Sequence, residues 1–223
     1  LGGRFLSYRS IIVFGLCAQV IAGIILSFNT MTSLYLGLSI LMVGTGSLVT
    51  CINMVLLQLF QNKDTERNRA FLWNYACMNI GFLIGFSLAG TYQVLGDYTS
   101  LFLIMTGSSL LSLLVMLSAW RHLKDQQSPL SLHTKNQRAL RNIIGIIGLV
   151  GLVPVLYFLL HFTLFSDWLI LGLGAAMYGY FIVQAYNAHT DERNRLFVFI
   201  ILILCALVFW VVFQLSPMAI SLF

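Results

Sequence analysis

GTGSLVTCINMVLLQLFQNKDTERNRAFLWNYACMNIG, from Gly44 to Gly81, decides the architecture of this chain. It is apolar as far as Phe60, turns abruptly charged through Lys63, Asp64, Glu66, Arg67 and Arg69, and becomes apolar again at Ala70. The apolar residues do not alternate with polar ones, so they do not read as barrel strands. Extended on either side, each run reaches the ~20 residues that a helix needs to cross ~30 Å of hydrocarbon. A backbone in lipid must satisfy its own hydrogen bonds, and a helix does so within one segment.

Seven such runs follow one another, at about Ile11 to Phe28, Leu34 to Phe60, Ala70 to Val94, Ser100 to Trp120, Asn142 to His161, Trp168 to Ala185 and Leu196 to Phe223. With 59% hydrophobic and 9% charged residues, against ~25% charged in soluble domains, the chain is expected to be an all-α polytopic membrane bundle. All 12 Lys and Arg residues lie before the first run or in alternate gaps, whereas the opposite gaps carry Asp97 and Asp167. The positive-inside rule therefore places the basic loops and the N-terminal end in the cytoplasm. The net charge of +5 follows from this topology. No basic stripe or base-stacking platform accompanies it, so no nucleic-acid partner is expected.

Several function classes are excluded. No lysine lies at membrane depth to form a retinal Schiff base, and the four histidines sit at or outside the ends of the runs, without the constellation a hydrolase needs. No enzyme activity is expected. Cys17, Cys51, Cys77 and Cys205 lie inside apolar runs without CxxC or Cys/His spacing, so neither a metal nor a cofactor is expected. Small residues at Gly44 and Gly46, at Gly81, Gly85 and Ala89, and at Gly145, Gly148 and Gly151 mark faces where helices can approach closely. Pro154 and Pro217 are expected to kink their helices.

The polar groups left inside the runs are neutral. Tyr75 and Asn79, with Asn74 beside them, share one helical face, and Trp210 and Gln214 have the same spacing of four. Amides in lipid need partners, and either a neighbouring helix or a substrate can supply them.

These residues also carry a resemblance. Gly44 to Gly81 resembles the signature region of proton-dependent oligopeptide transporters, a branch of the major facilitator superfamily. There a Gly-x-Gly helix, a short charged cytoplasmic loop and a helix reading roughly F-x-x-F-Y-x-x-x-N-x-G follow in order; Phe71, Tyr75, Asn79 and Gly81 match. VFWVVFQLSPMAISLF, from Val208, resembles the family's seventh helix. GGRFLSYR resembles the superfamily loop motif D-R-x-L-G-x-R, keeping Arg4, Leu6 and Arg9.

The resemblance implies a partial major-facilitator fold: helices three to six, an inserted helix pair, and helix seven. Residues 1–120 would then belong to the N-terminal six-helix bundle, 121–195 to a cytoplasmic linker and inserted hairpin, and 196–223 to the first helix of the C-terminal bundle. The chain reads as an internal portion of a longer protein. The implied function is secondary active transport of oligopeptides or peptide-like molecules by alternating access, with protons as co-substrate. Tyr75, Asn79, Trp210 and Gln214 are the implied substrate-binding residues, and Arg4 and Arg9 the cytoplasmic loop motif. The alternative is a non-transporting scaffold or subunit derived from a transporter.

Departures from the pattern are informative. Val49, Thr50 and Cys51 stand where the family has Lys, Pro and Asn; Gln214 stands in place of an acid; Gly3 and Ser7 replace the loop motif's Asp and Gly. Losing a cation and an acid together is coherent, because either charge alone at the membrane centre is strongly destabilised. It also removes the groups on which proton coupling and recognition of peptide termini would rest. DTERNRAF from Asp64 and TDERNRLF from Thr190 read as convergent helix starts, with acids at the positive end of the dipole.

Overall fold

A computed structural model describes residues 5–60, 63–120, 123, 135–187 and 190–220, with the side chains at 135–139, 190–192, 214 and 216–220 excepted. Seven helices run through them: α1 (Tyr8–Leu26), α2 (Met31–Leu59), α3 (Asp64–Leu95), α4 (Tyr98–Ser118), α5 (Lys135–His161), α6 (Thr163–Asn187) and α7 (Thr190–Ile220). All seven are long and apolar enough to cross a membrane, which makes the chain an all-α polytopic membrane protein. The helices outrun the apolar stretches. α3 begins at Asp64 rather than Ala70, α5 at Lys135 rather than Asn142, and α7 at Thr190 rather than Leu196. Hydropathy marks the slab of lipid, whereas a helix stops only where its backbone finds a cap or a breaker.

Those caps are visible. Ser7, where the loop motif has Gly, accepts a hydrogen bond from the Ser10 backbone N–H at 3.3 Å and so starts α1. Thr30 and Ser33 form a reciprocal capping box on α2. Asp97 accepts from the Ser100 N–H at 3.1 Å and starts α4. α3 ends at Gly96, whose φ of 70° is the left-handed conformation that glycine adopts without strain. α5 remains helical through Pro154, and α7 through Pro217.

The chain divides into two compact units, 1–161 and 162–223. In the first, α1 packs along α2 and α4, and α5 lies against α2. Its core gathers Leu6, Ile11, Leu16, Val43, Leu48, Met116 and Leu149. The tightest approach is between α1 and α2. A Cβ on Gly15 would lie 2.8 Å from the Gly44 carbonyl oxygen, and one on Gly44 the same distance from the Gly15 oxygen. Gly145 of α5 is covered by the side chains of Leu6 and Phe5. Gly46, Gly81, Gly85 and Gly151 face open space on this chain, so the expected packing face of α3 is not used within it. In the second unit, α6 packs on α7 through Phe181 against Phe199 and Tyr186 against Phe197.

Hydroxyls are absorbed locally. Ser39, Ser47, Thr50, Ser87, Thr91, Thr106 and Ser112 each donate to the carbonyl four residues back, at 2.7–3.1 Å. Other side-chain bonds join elements. Gln19 Nε2 donates to Thr45 Oγ1 at 3.1 Å, joining α1 to α2. Asn29 Nδ2 donates to Thr99 Oγ1 at 3.0 Å, tying the α1–α2 turn to the start of α4.

Candidate functional site

α3 carries the residues on which the sequence reading converged, and its packing makes them available. No residue of this helix is buried within the chain. Tyr75 is exposed, and Asn79, one turn on, donates from Nδ2 to the Tyr75 carbonyl at 2.8 Å. That bond leaves Asn79 Oδ1 to accept. The structure thus brings Tyr75 and Asn79 together.

Trp210 lies in the second unit, half-exposed on α7, within an aromatic group in which it meets Phe213 edge-on at 5.5 Å and Phe209 at 6.3 Å. Gln214 lies one turn further along α7; its side chain is outside the described residues, as is the whole of Arg4. Arg9 belongs to the first turn of α1 rather than to a loop. Its guanidinium sits 4.4 Å above the Trp120 ring, just past the end of α4, with Nε buried and unpartnered. A cation on an indole face fits a membrane-interface position, where the ring supplies attraction without a countercharge.

Between α2 and the first half of α3 lies a cleft of 540 Å³. Asn53 lines it from α2; Asn68, Phe71, Leu72, Asn74, Tyr75 and Met78 line it from α3. The sequence reading singled out Tyr75 and Asn74 but not Asn53 or Asn68, because their convergence depends on how α2 and α3 face each other. In the first turns of α3, Lys63 Nζ pairs with Glu66 at 3.0 Å and Arg67 with Asp64 at 2.7 Å, while Arg69, next to Asn68, is exposed. A second groove, of 670 Å³ among α1, α2 and α4, is lined mostly by Leu, Ile and Val, with Gln19 and Ser112 as its polar residues. Among the described residues, no group of three or more His, Cys, Asp or Glu side chains is placed to hold a metal.

The cleft is lined, among the described residues, by asparagines, two aromatic rings and apolar side chains, and comparison with known families gives the bundle its place. The family model for the POT family matches residues 5–223. The chain belongs to the POT family. Among curated proteins, it is similar to dipeptide and tripeptide permease B of Aliivibrio fischeri (strain MJ11), with 25% identity over 226 residues, covering 100% of this chain and 45% of that protein. Permease B of Xenorhabdus bovienii (strain SS-2004) is 26% identical over 225 residues, covering 100% and 46%. Dipeptide and tripeptide permease A of Pectobacterium carotovorum subsp. carotovorum (strain PC1) is 24% identical over 227 residues, covering 100% and 44%. The chain thus spans just under half the length of these relatives. No solved structure matches it significantly. Seven membrane-capable helices and bacterial relatives make this POT-family chain an integral protein of the inner membrane.

Proposed function

We propose that this POT-family chain is part of a secondary active transporter that carries di- and tripeptides or peptide-like molecules across the inner membrane by alternating access, and is not an enzyme. The observation that carries the reading is the family match over 5–223, supported by relatives named as permeases of dipeptides and tripeptides. α1 to α4 act as helices three to six of the first bundle and α7 as helix seven, with α5 and α6 as an inserted pair peripheral to the transport path. Tyr75 and Asn79 of α3, and Trp210 and Gln214 of α7, are the proposed substrate-binding residues. Asn79, with its amide partly free, accepts from or donates to a peptide backbone. Tyr75 and Trp210 supply amphipathic aromatic surface.

Proton coupling, where present, is carried by other groups. Asn79 and Gln214 carry neutral amides that exchange no proton. Uptake of labelled dipeptides and tripeptides into vesicles containing the full-length protein tests the reading. Accumulation above protein-free vesicles is expected; well-folded protein that imports none of them would overturn it. Orientation is tested separately by a cysteine placed at Asp167, which should react with an impermeant reagent from the outer face only.

A further inference from the structure

We propose that the segment leading into α1 and the first turns of α2 fasten α5 to the first compact unit at both ends of its membrane span, so that α5 travels with that unit throughout transport. The fastening stands on contacts inside one unit. Only the part it plays in transport rests on the peptide-transport reading, and it goes beyond that reading, which leaves the motion of α5 open.

Three contacts carry it, one at each level of the helix. At the start of the span, Leu6, 4% exposed, lies against buried Gly145. A Cβ on Gly145 would stand 2.8 Å from the Leu6 Cγ and 3.2 Å from the Phe5 Cβ. A glycine here lets the entry segment sit directly on the backbone of α5, and in lipid such close approach drives association. In the middle, buried Leu149 joins Ile11 of α1 and Val43 and Cys51 of α2 in the core, with Val153 packed against them. At the far end, Tyr35 of α2 meets His161 edge-on, with ring centres 5.4 Å apart, and Tyr157 edge-on at 6.2 Å. Edge-to-face aromatic pairs attract beyond the area they bury.

Gly145, Leu149, Val153, Tyr157 and His161 recur every four residues, so these contacts follow one ridge along α5. That ridge is about 24 Å long at ~1.5 Å per residue, most of the ~30 Å of hydrocarbon. A helix held at one point can swing; one held at both ends of such a ridge moves only by breaking an end. The first compact unit runs to His161, the last residue of α5. The entry segment is itself fixed, because Ser7 caps α1 and the Arg9 guanidinium lies over the Trp120 ring.

The test uses the full-length protein with Leu6→Cys and Gly145→Cys introduced together. The approach of Leu6 to Gly145 puts the two Cβ atoms within the ~4.5 Å that a disulfide spans. Mild oxidation in the membrane should form this bridge, located by digestion and mass spectrometry, and the bridged protein should import labelled dipeptides as fast as the reduced one. Folded protein that forms no bridge would overturn the proposal. So would a bridge that halts import until it is reduced, because α5 would then have to leave the entry segment in each cycle.

Where the double-cysteine protein does not fold or transport, the same contact is read by rescue. Gly145→Val should lower the unfolding temperature, and Leu6→Ala added to it should raise it again by making room; a loss without rescue would overturn the attachment at Leu6. At the far end, Tyr35→Leu and His161→Leu should be non-additive in stability, and additive effects would overturn the attachment there. Import by neither the unsubstituted nor the bridged protein, with the bridge formed, would sink the transport reading and leave α5 fastened.

Discussion

α1 and α3 are both membrane-length helices, yet they stand at opposite ends of a packing scale. α1 buries residues from Tyr8 to Leu26 along its length, whereas α3 buries none within the chain. The difference is not apolarity alone. α1 presents small residues that let α2 come within backbone contact at Gly15 and Gly44, and in lipid close van der Waals approach is what drives association. α3 presents glycines to open space, along with amides that have no partner. Within this chain, one helix is packed by its neighbours along its length and the other is not.

Substitution at the glycine seam should have the largest effect. In Gly44→Val the new side chain meets the Gly15 carbonyl, a backbone atom that cannot rotate away, and the loss should be about 3 kcal/mol or more, read as a lowered unfolding temperature in detergent. On α3, Gly85→Ala should be neutral or gain up to ~1 kcal/mol from helix propensity. A loss at Gly85 in the full-length protein would break the contrast, since it would report another helix seated on α3.

This pair of positions also shows what the sequence displays and what it hides. Gly81, Gly85 and Ala89 form the visible small-residue ladder, yet the seam runs through Gly15, a lone glycine that means nothing until α2 brings Gly44 to it. Spacing along one helix is legible in sequence; the rotation that pairs two helices is not. The seven spans were legible because lipid imposes length and apolarity on each. Tyr75 and Asn79 were legible because they sit one turn apart on one helix. Asn53 was not, because it meets α3 only through the way two helices face each other; Asn68 lies on the Tyr75 face of α3 but among the charges that begin the helix.

A smaller effect is expected where α1 meets the end of α4. Trp120→Leu removes the ring beneath Arg9 and should cost about 1 kcal/mol, while Trp73→Leu on α3, exposed on this chain, should leave stability unchanged. Smaller again is the polar link between α1 and α2. Gln19→Leu deletes the bond to Thr45 and should cost about 0.6 kcal/mol, measurable as additive with Trp120→Leu because the sites share no partner.

The smallest effect concerns the turn that separates α3 from α4. Hydrogen bonds from Ser100 hold the Asp97 carboxyl below its ordinary value of 3.8. A lowered value means that the cap is fully present above that ordinary value and is lost as pH falls through the lowered one. Amide exchange at Ser100, corrected for intrinsic rates, should therefore accelerate as pH falls below that ordinary value. In Asp97→Asn that acid step should vanish, since the amide caps without titrating.

The back-bonded hydroxyls bear on how the protein is made. A helix leaving the ribosome enters the bilayer before its later neighbours exist, so any polar group must be satisfied alone or carried in at a cost. Ser39, Ser47 and Thr50 on α2 close their bonds inside one helix and burden its insertion little. α3 is the least apolar of the seven spans and brings Asn68 and Asn74 without internal partners. It is therefore the segment whose entry depends most on helices already in place, and the point at which biogenesis is most easily stalled.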